Sequence, residues 1–119
     1  MPRKTEIRKG GDITGRTRNM KFEDYGISDE MAIWLLSLCR INSPDIRKMV
    51  EEAADLACPD LSKYLVRSLT EGVSYISMEK SEAPVPCSQK DFYGYRRKTL
   101  ARFSTLYVKY IMFGDEIDI

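Results

Sequence analysis

Ser88 to Phe113 reads as one long helix, interrupted by no proline and by a single glycine, Gly94. Pro84 and Pro86 force an extended connection ahead of it, and Ser88-x-x-Asp91 resembles a capping box with Asp in place of the usual Glu. At about 100° per residue, Phe92, Tyr95, Thr99, Phe103, Leu106 and Tyr110 fall within one arc, widened by Tyr93, Leu100, Tyr107 and Ile111. Lys90, Gly94, Arg97, Lys98, Ala101, Arg102 and Lys109 take the opposite arc. Arg96 falls on the aromatic side, where its stem packs while its head reaches out. The spacing therefore predicts a helix with one apolar face and one basic face.

The charge is segregated along the chain. Residues 88–112 carry six basic residues and one acid, Asp91, for a net +5. Residues 22–87 carry six basic and twelve acidic residues, net −6, and residues 1–21 carry seven basic and two acidic, net +5. A whole-chain charge of +1 conceals this pattern. Residues 1–19 have no apolar periodicity and read as a disordered basic arm. That arm is a solubilising tail, a leader upstream of a second start at Met20, or a nucleic-acid arm, and its removal is expected to leave thermal stability nearly unchanged while weakening any DNA affinity. The segment 114–119 reads as a frayed acidic tail.

Four shorter helices are predicted between. The first runs from about Ser28 to Arg40, capped by Ser28, with Met31, Trp34, Leu35, Leu38 and Cys39 inward and Trp34 as a core anchor. The second starts after Ser43 with Pro44 in its first turn, and its stripe is Ile46, Met49, Val50, Ala53, Ala54 and Ala57. The third spans about Pro59 to Thr70 with Leu61, Tyr64, Leu65, Ser68 and Leu69 inward, stopped by Gly72. The fourth, about Ser74 to Glu82, carries Tyr75, Ile76 and Met78. No segment alternates with a period of two, so the expected fold is a single all-α domain over 22–113, with four or five helices and a long basic C-terminal helix.

The composition excludes much chemistry. The chain has no histidine, which removes the commonest general base and most zinc sites. Its cysteines, Cys39, Cys58 and Cys87, are odd in number and widely spaced, so they form no disulfide framework. It has no phosphate-binding glycine loop and no nucleophile elbow. A non-enzymatic protein without cofactor or metal is expected. No apolar run reaches the roughly 18–20 residues of a membrane span, which points to a cytoplasmic setting. The candidate site is the start of the long helix. Ser88, Gln89, Lys90, Tyr93 and Gly94 would meet a DNA groove, with Gln89, Lys90 or Tyr93 at base edges and Arg97, Lys98 and Arg102 on phosphates. Gly94 costs a helix interior about 1 kcal/mol relative to alanine, so something approaches the backbone there, either a ligand or the first helix. Changing Arg97 and Lys98 to glutamate is expected to abolish duplex binding with the fold intact. The other reading of the same basic helix is a surface for a protein partner, with the chain acting as adaptor or inhibitor.

The stretch Leu69-Thr70-Glu71-Gly72-Val73-Ser74-Tyr75-Ile76, followed by Pro86 to Leu100, resembles the last helix-turn-helix of sigma-factor-like regulators of phages and mobile elements. The block Phe92 to Lys98 is also similar to the C-terminal part of small Gram-positive phage proteins. The resemblance covers about 69–104. It implies a transcriptional regulator that binds double-stranded DNA, with RNA polymerase as a protein partner. On it, Ser88, Gln89, Lys90, Tyr93, Gly94 and Arg97 match the groove-facing side. The turn here is longer than in the compact motif and holds Pro84 and Pro86, and the last helix is longer than a usual recognition helix.

Overall fold

The computed structural model describes residues 17–81 and 84–118. It is all-α, with no strand among the described residues. The elements are a 3₁₀ turn, Phe22–Tyr25, then α1 (Asp29–Ile41), α2 (Pro44–Ala57), a 3₁₀ turn at Pro59–Leu61, α3 (Ser62–Glu71), α4 (Tyr75–Ser81) and α5 (Gln89–Asp118). The expected helices are all present.

Local chemistry sets the boundaries. The Ser28 hydroxyl accepts from the Met31 N–H at 3.1 Å, and the Ser43 hydroxyl accepts from the Ile46 N–H at 3.3 Å. Each serine satisfies one of the donors that a helix start leaves without an intrahelical partner. Asn42 ends α1 in the left-handed region at φ 53°, which an Asn tolerates better than most residues. Gly72 ends α3 at φ 76°, where no Cβ penalty applies. The backbone of α5 breaks its helical geometry at Gly114 (φ 36°, ψ −120°) and then continues helical to Asp118, so the expected end at Phe113 marks a kink.

The core lies between α5 and the three helices α1, α2 and α3, with the most extensive contact between α2 and α5. Ala53, Ala54 and Ala57 let α2 approach closely, and Phe92, Leu100 and Phe103 of α5 are buried. Val50, Leu65 and Leu69 complete the interior from α2 and α3. Burial of such side chains drives the assembly at about 25 cal/mol per Å² of apolar surface.

Two expectations fail in the packing. On α1 the buried side chains are Ala32, Leu35 and Cys39, so the inward face is rotated away from Met31 and Trp34. Trp34 is 48% exposed and lies edge-on to Tyr107 at 5.6 Å, so it is not a core anchor. The second concerns the arm. Residues 1–16 lie outside the described residues, but 17–19 form a helical turn with Thr17 buried. That end of the arm is packed on α5, and removing it takes native contacts with it.

Candidate nucleic-acid interface

The N-terminal half of α5 carries the residues singled out for DNA contact, and the structure divides them. Ser88 caps the helix, its hydroxyl accepting from the Asp91 N–H at 3.2 Å. Only this half of the capping box is used for capping: the Asp91 carboxylate turns to Arg18, with 2.9 Å between Asp91 Oδ1 and Arg18 Nε. Gln89 and Lys90 are exposed in the first turn, and Arg102 is exposed two turns beyond Tyr95. Lys98 is half-buried.

Tyr93 and its neighbours are tied into the fold. Tyr93 packs edge-on to Phe92 at 5.4 Å, and its hydroxyl oxygen accepts from the Tyr75 N–H at 3.2 Å. It therefore anchors the start of α4 to α5. Arg96 donates from Nε to the Ser68 hydroxyl at 2.7 Å, with its guanidinium 6.0 Å from the Tyr93 ring centre. Burial holds the Arg96 pKa below the ordinary arginine range, and the positive charge of Arg40 acts in the same direction.

Gly94 and Arg97 are covered by the chain itself. A Cβ at Gly94 would lie 2.6 Å from Arg18 Cα and 2.7 Å from the Thr17 carbonyl oxygen. The approaching group inferred from this glycine is thus the backbone of residues 17–18, neither a ligand nor α1. Arg97 donates from Nε to the Met20 carbonyl at 2.7 Å and from Nη2 to the Arg18 carbonyl at 3.2 Å. The expectation that Arg97 stands free on an exposed arc is corrected: its guanidinium holds the 17–20 segment in place.

This docking builds a cleft that sequence reasoning missed. Arg18, Lys21, Lys90 and Arg97 line an open space of about 640 Å³ together with the acids Glu23 and Asp29. Further along α5, Arg102 and Lys109 line a smaller groove of about 450 Å³ with Glu52 and Leu56 of α2. Acids of the body thus share both clefts with the cations: Glu23 and Asp29 at the start of α5, and Glu52 beside Arg102 and Lys109. Gly94 was the one sequence signal for the cleft, since a glycine amid cations marks a close backbone approach.

The far end of α5 has a different character. Val108, Tyr110, Ile111, Met112 and Phe113 are all exposed, and Met112 is 66% so. Tyr107 stacks on Tyr110 at 6.3 Å, extending the Trp34–Tyr107 contact into an aromatic row, and Tyr110 donates to Asp45 Oδ2 at 3.0 Å.

Among the described residues, no group of three or more Cys, Asp or Glu is placed to hold a metal ion, and no helix is long and apolar enough to cross a membrane. Cys39, Cys58 and Cys87 are free thiols. No protein-family model, curated protein or solved structure matches this chain.

Proposed function

We propose that this chain is a non-enzymatic DNA-binding protein that grips the duplex backbone with the start of α5 and the segment docked on it. The observation that carries the reading is the convergence of Arg18, Lys21 and Lys90 on one open cleft, where they outnumber the acids Glu23 and Asp29. Cations clustered on one side of a helix suit phosphates, which supply most of the sequence-independent affinity. Gln89, exposed in the first turn, is the side chain left to read base edges. Ser88, Tyr93, Gly94 and Arg97 serve the scaffold instead, so deep insertion of a free helix face gives way to backbone contact. The regulatory role in a phage or mobile element rests on the sequence resemblance alone.

The test is fluorescence anisotropy with a labelled duplex across a salt series. Three or four phosphate contacts give a slope of log affinity against log salt of roughly −3 to −4. Lys90→Glu should weaken binding strongly and leave the melting temperature unchanged. No binding at about 50 mM salt and micromolar protein rejects the reading, since non-specific binders reach that range.

A second reading, that of a protein adaptor, is favoured by the apolar end of α5. Five large exposed side chains between Val108 and Phe113, beside Trp34, make a surface of the kind that proteins cover. Under this reading, Ile111→Glu with Met112→Glu abolishes association with a protein partner and leaves any DNA binding unchanged. The two surfaces occupy different halves of α5, so the two variants report separately.

A further inference from the structure

Residues 17–21 meet α5 through their backbone. The contacts are Arg18 Cα and the Thr17 carbonyl against Gly94, and the Arg18 and Met20 carbonyls on the Arg97 guanidinium. Thr17 is buried beneath them. The side chains of Arg18 and Lys21 are left to line the cleft beside Lys90, where Glu23 and Asp29 also line it. One cation of α5, Arg97, is thus committed to holding the segment, and two cations of the segment take its place at the surface. A strap that only masked the helix would not deliver cations to the face it covers.

We infer that residues 17–21 are a docked strap that supplies two of the three phosphate-binding cations, with Arg18 and Lys21 acting together with Lys90 on neighbouring phosphates of duplex DNA. This deepens the DNA-binding reading and rests on it. Asp91 belongs to the device: paired with Arg18 at 2.9 Å, it sets where that guanidinium stands. Arginine presents five N–H donors, so one carboxylate oxygen at Nε leaves donors for a phosphate. Gly94 is the gauge of docking, because a methyl group there meets backbone atoms that cannot rotate aside.

The decisive variant is Gly94→Ala in the full chain, which keeps every charge and displaces the strap. Affinity for a labelled duplex should fall about tenfold or more at low salt, and the salt slope should become shallower by about two, the share of two phosphate contacts. Arg18→Gln with Lys21→Gln, which changes no backbone contact, should produce the same change in slope. Adding Gly94→Ala to that pair should then cost little more. Wild-type affinity in Gly94→Ala, or an unchanged slope in the charge variant, overturns the strap while the DNA reading stands. Tighter binding by Gly94→Ala also overturns it, since the segment would then be masking the helix. Absence of duplex binding by the wild-type chain removes both readings. Should Gly94→Ala fail to fold, the Arg18/Lys21 variant decides alone.

Discussion

Gly94 lies directly against the backbone of Arg18, so close that any side chain at position 94 would stand 2.6 Å from Arg18 Cα. Helix α5 gives up a side chain there and gains a covering segment, which Arg97 secures three residues on with two hydrogen bonds to carbonyls. A hydrogen bond from a charged donor contributes about 1.5–3 kcal/mol. Since Arg97 is half-buried and partly screened, Arg97→Ala should cost about 2–4 kcal/mol in total. Arg97→Lys keeps the charge but not the two-pronged geometry, so it should lose most of the same energy. Urea denaturation checks this. A midpoint equal to wild type in both variants means that the strap contributes nothing to the native state.

Phe103 occupies the centre of the α5 core face and is fully buried. Its ring stacks on Tyr107 at 5.8 Å. Phe103→Ala should cost about 3–5 kcal/mol through lost transfer energy and a residual cavity. That is a large share of the roughly 5–15 kcal/mol available to a domain of this size, so partial unfolding at room temperature is expected. The check is the denaturant midpoint, which should shift far more than in any surface variant of α5.

The core face of α5 was legible because Phe92, Tyr95, Thr99 and Phe103 recur at three- and four-residue steps against an opposite arc of cations. The caps at Ser28, Ser43 and Ser88 were legible for a similar reason, since each puts a hydroxyl three residues before the N–H it accepts. On α1 the same method went astray. Met31, Ala32, Ile33, Trp34, Leu35, Leu36, Leu38 and Ile41 surround the helix with apolar groups, so periodicity alone does not choose the inward face. Packing chose it, placing the small Ala32 inside and leaving Trp34 half out. The strap was invisible to periodicity altogether. It docks with carbonyl oxygens and one buried threonine, and no apolar stripe announces such a contact.

A buried thiol, Cys39, and a partly buried one, Cys87, should make stability depend on alkaline pH. Burial pushes the Cys39 thiol up to about 12, against the opposing pull of Arg96 and Arg40, and burial with the nearby Asp91 charge pushes Cys87 up to about 11. Unfolded thiols ionise near 9. Below that pH both states hold the protons and the thiols contribute no pH dependence. Above it the unfolded chain releases protons that the folded chain retains, so stability falls from about pH 9 and continues to fall to about 12. Urea midpoints measured between pH 8 and 10.5 should decline. The decline should be shallower in Cys39→Ala with Cys87→Ala, and Tyr25, whose pKa is also raised by burial, should sustain part of it. An identical decline in the double variant removes the thiols as its cause.

Trp34 is the single tryptophan of the chain, so its fluorescence reports one place, the contact with Tyr107 at the base of the apolar end of α5. Half exposed, it should emit toward the red in the native state and be quenched readily by acrylamide, with a modest further shift on unfolding. Trp34→Ala removes an edge-on aromatic pair and part of its packing, so it should cost about 1–2 kcal/mol, well short of the cost at Phe103. The same probe separates the two functional surfaces. Duplex DNA gripped at the start of α5 should leave the emission of Trp34 nearly unchanged, because neither Trp34 nor its ring partner Tyr107 lines the cleft of Arg18, Lys21 and Lys90. A protein partner seated over Tyr110 to Phe113 should shift the emission to the blue and protect it from acrylamide. A strongly blue-shifted, unquenchable emission from the isolated chain would mean that Trp34 is buried, and the apolar end would then be part of the core and not a surface for a partner.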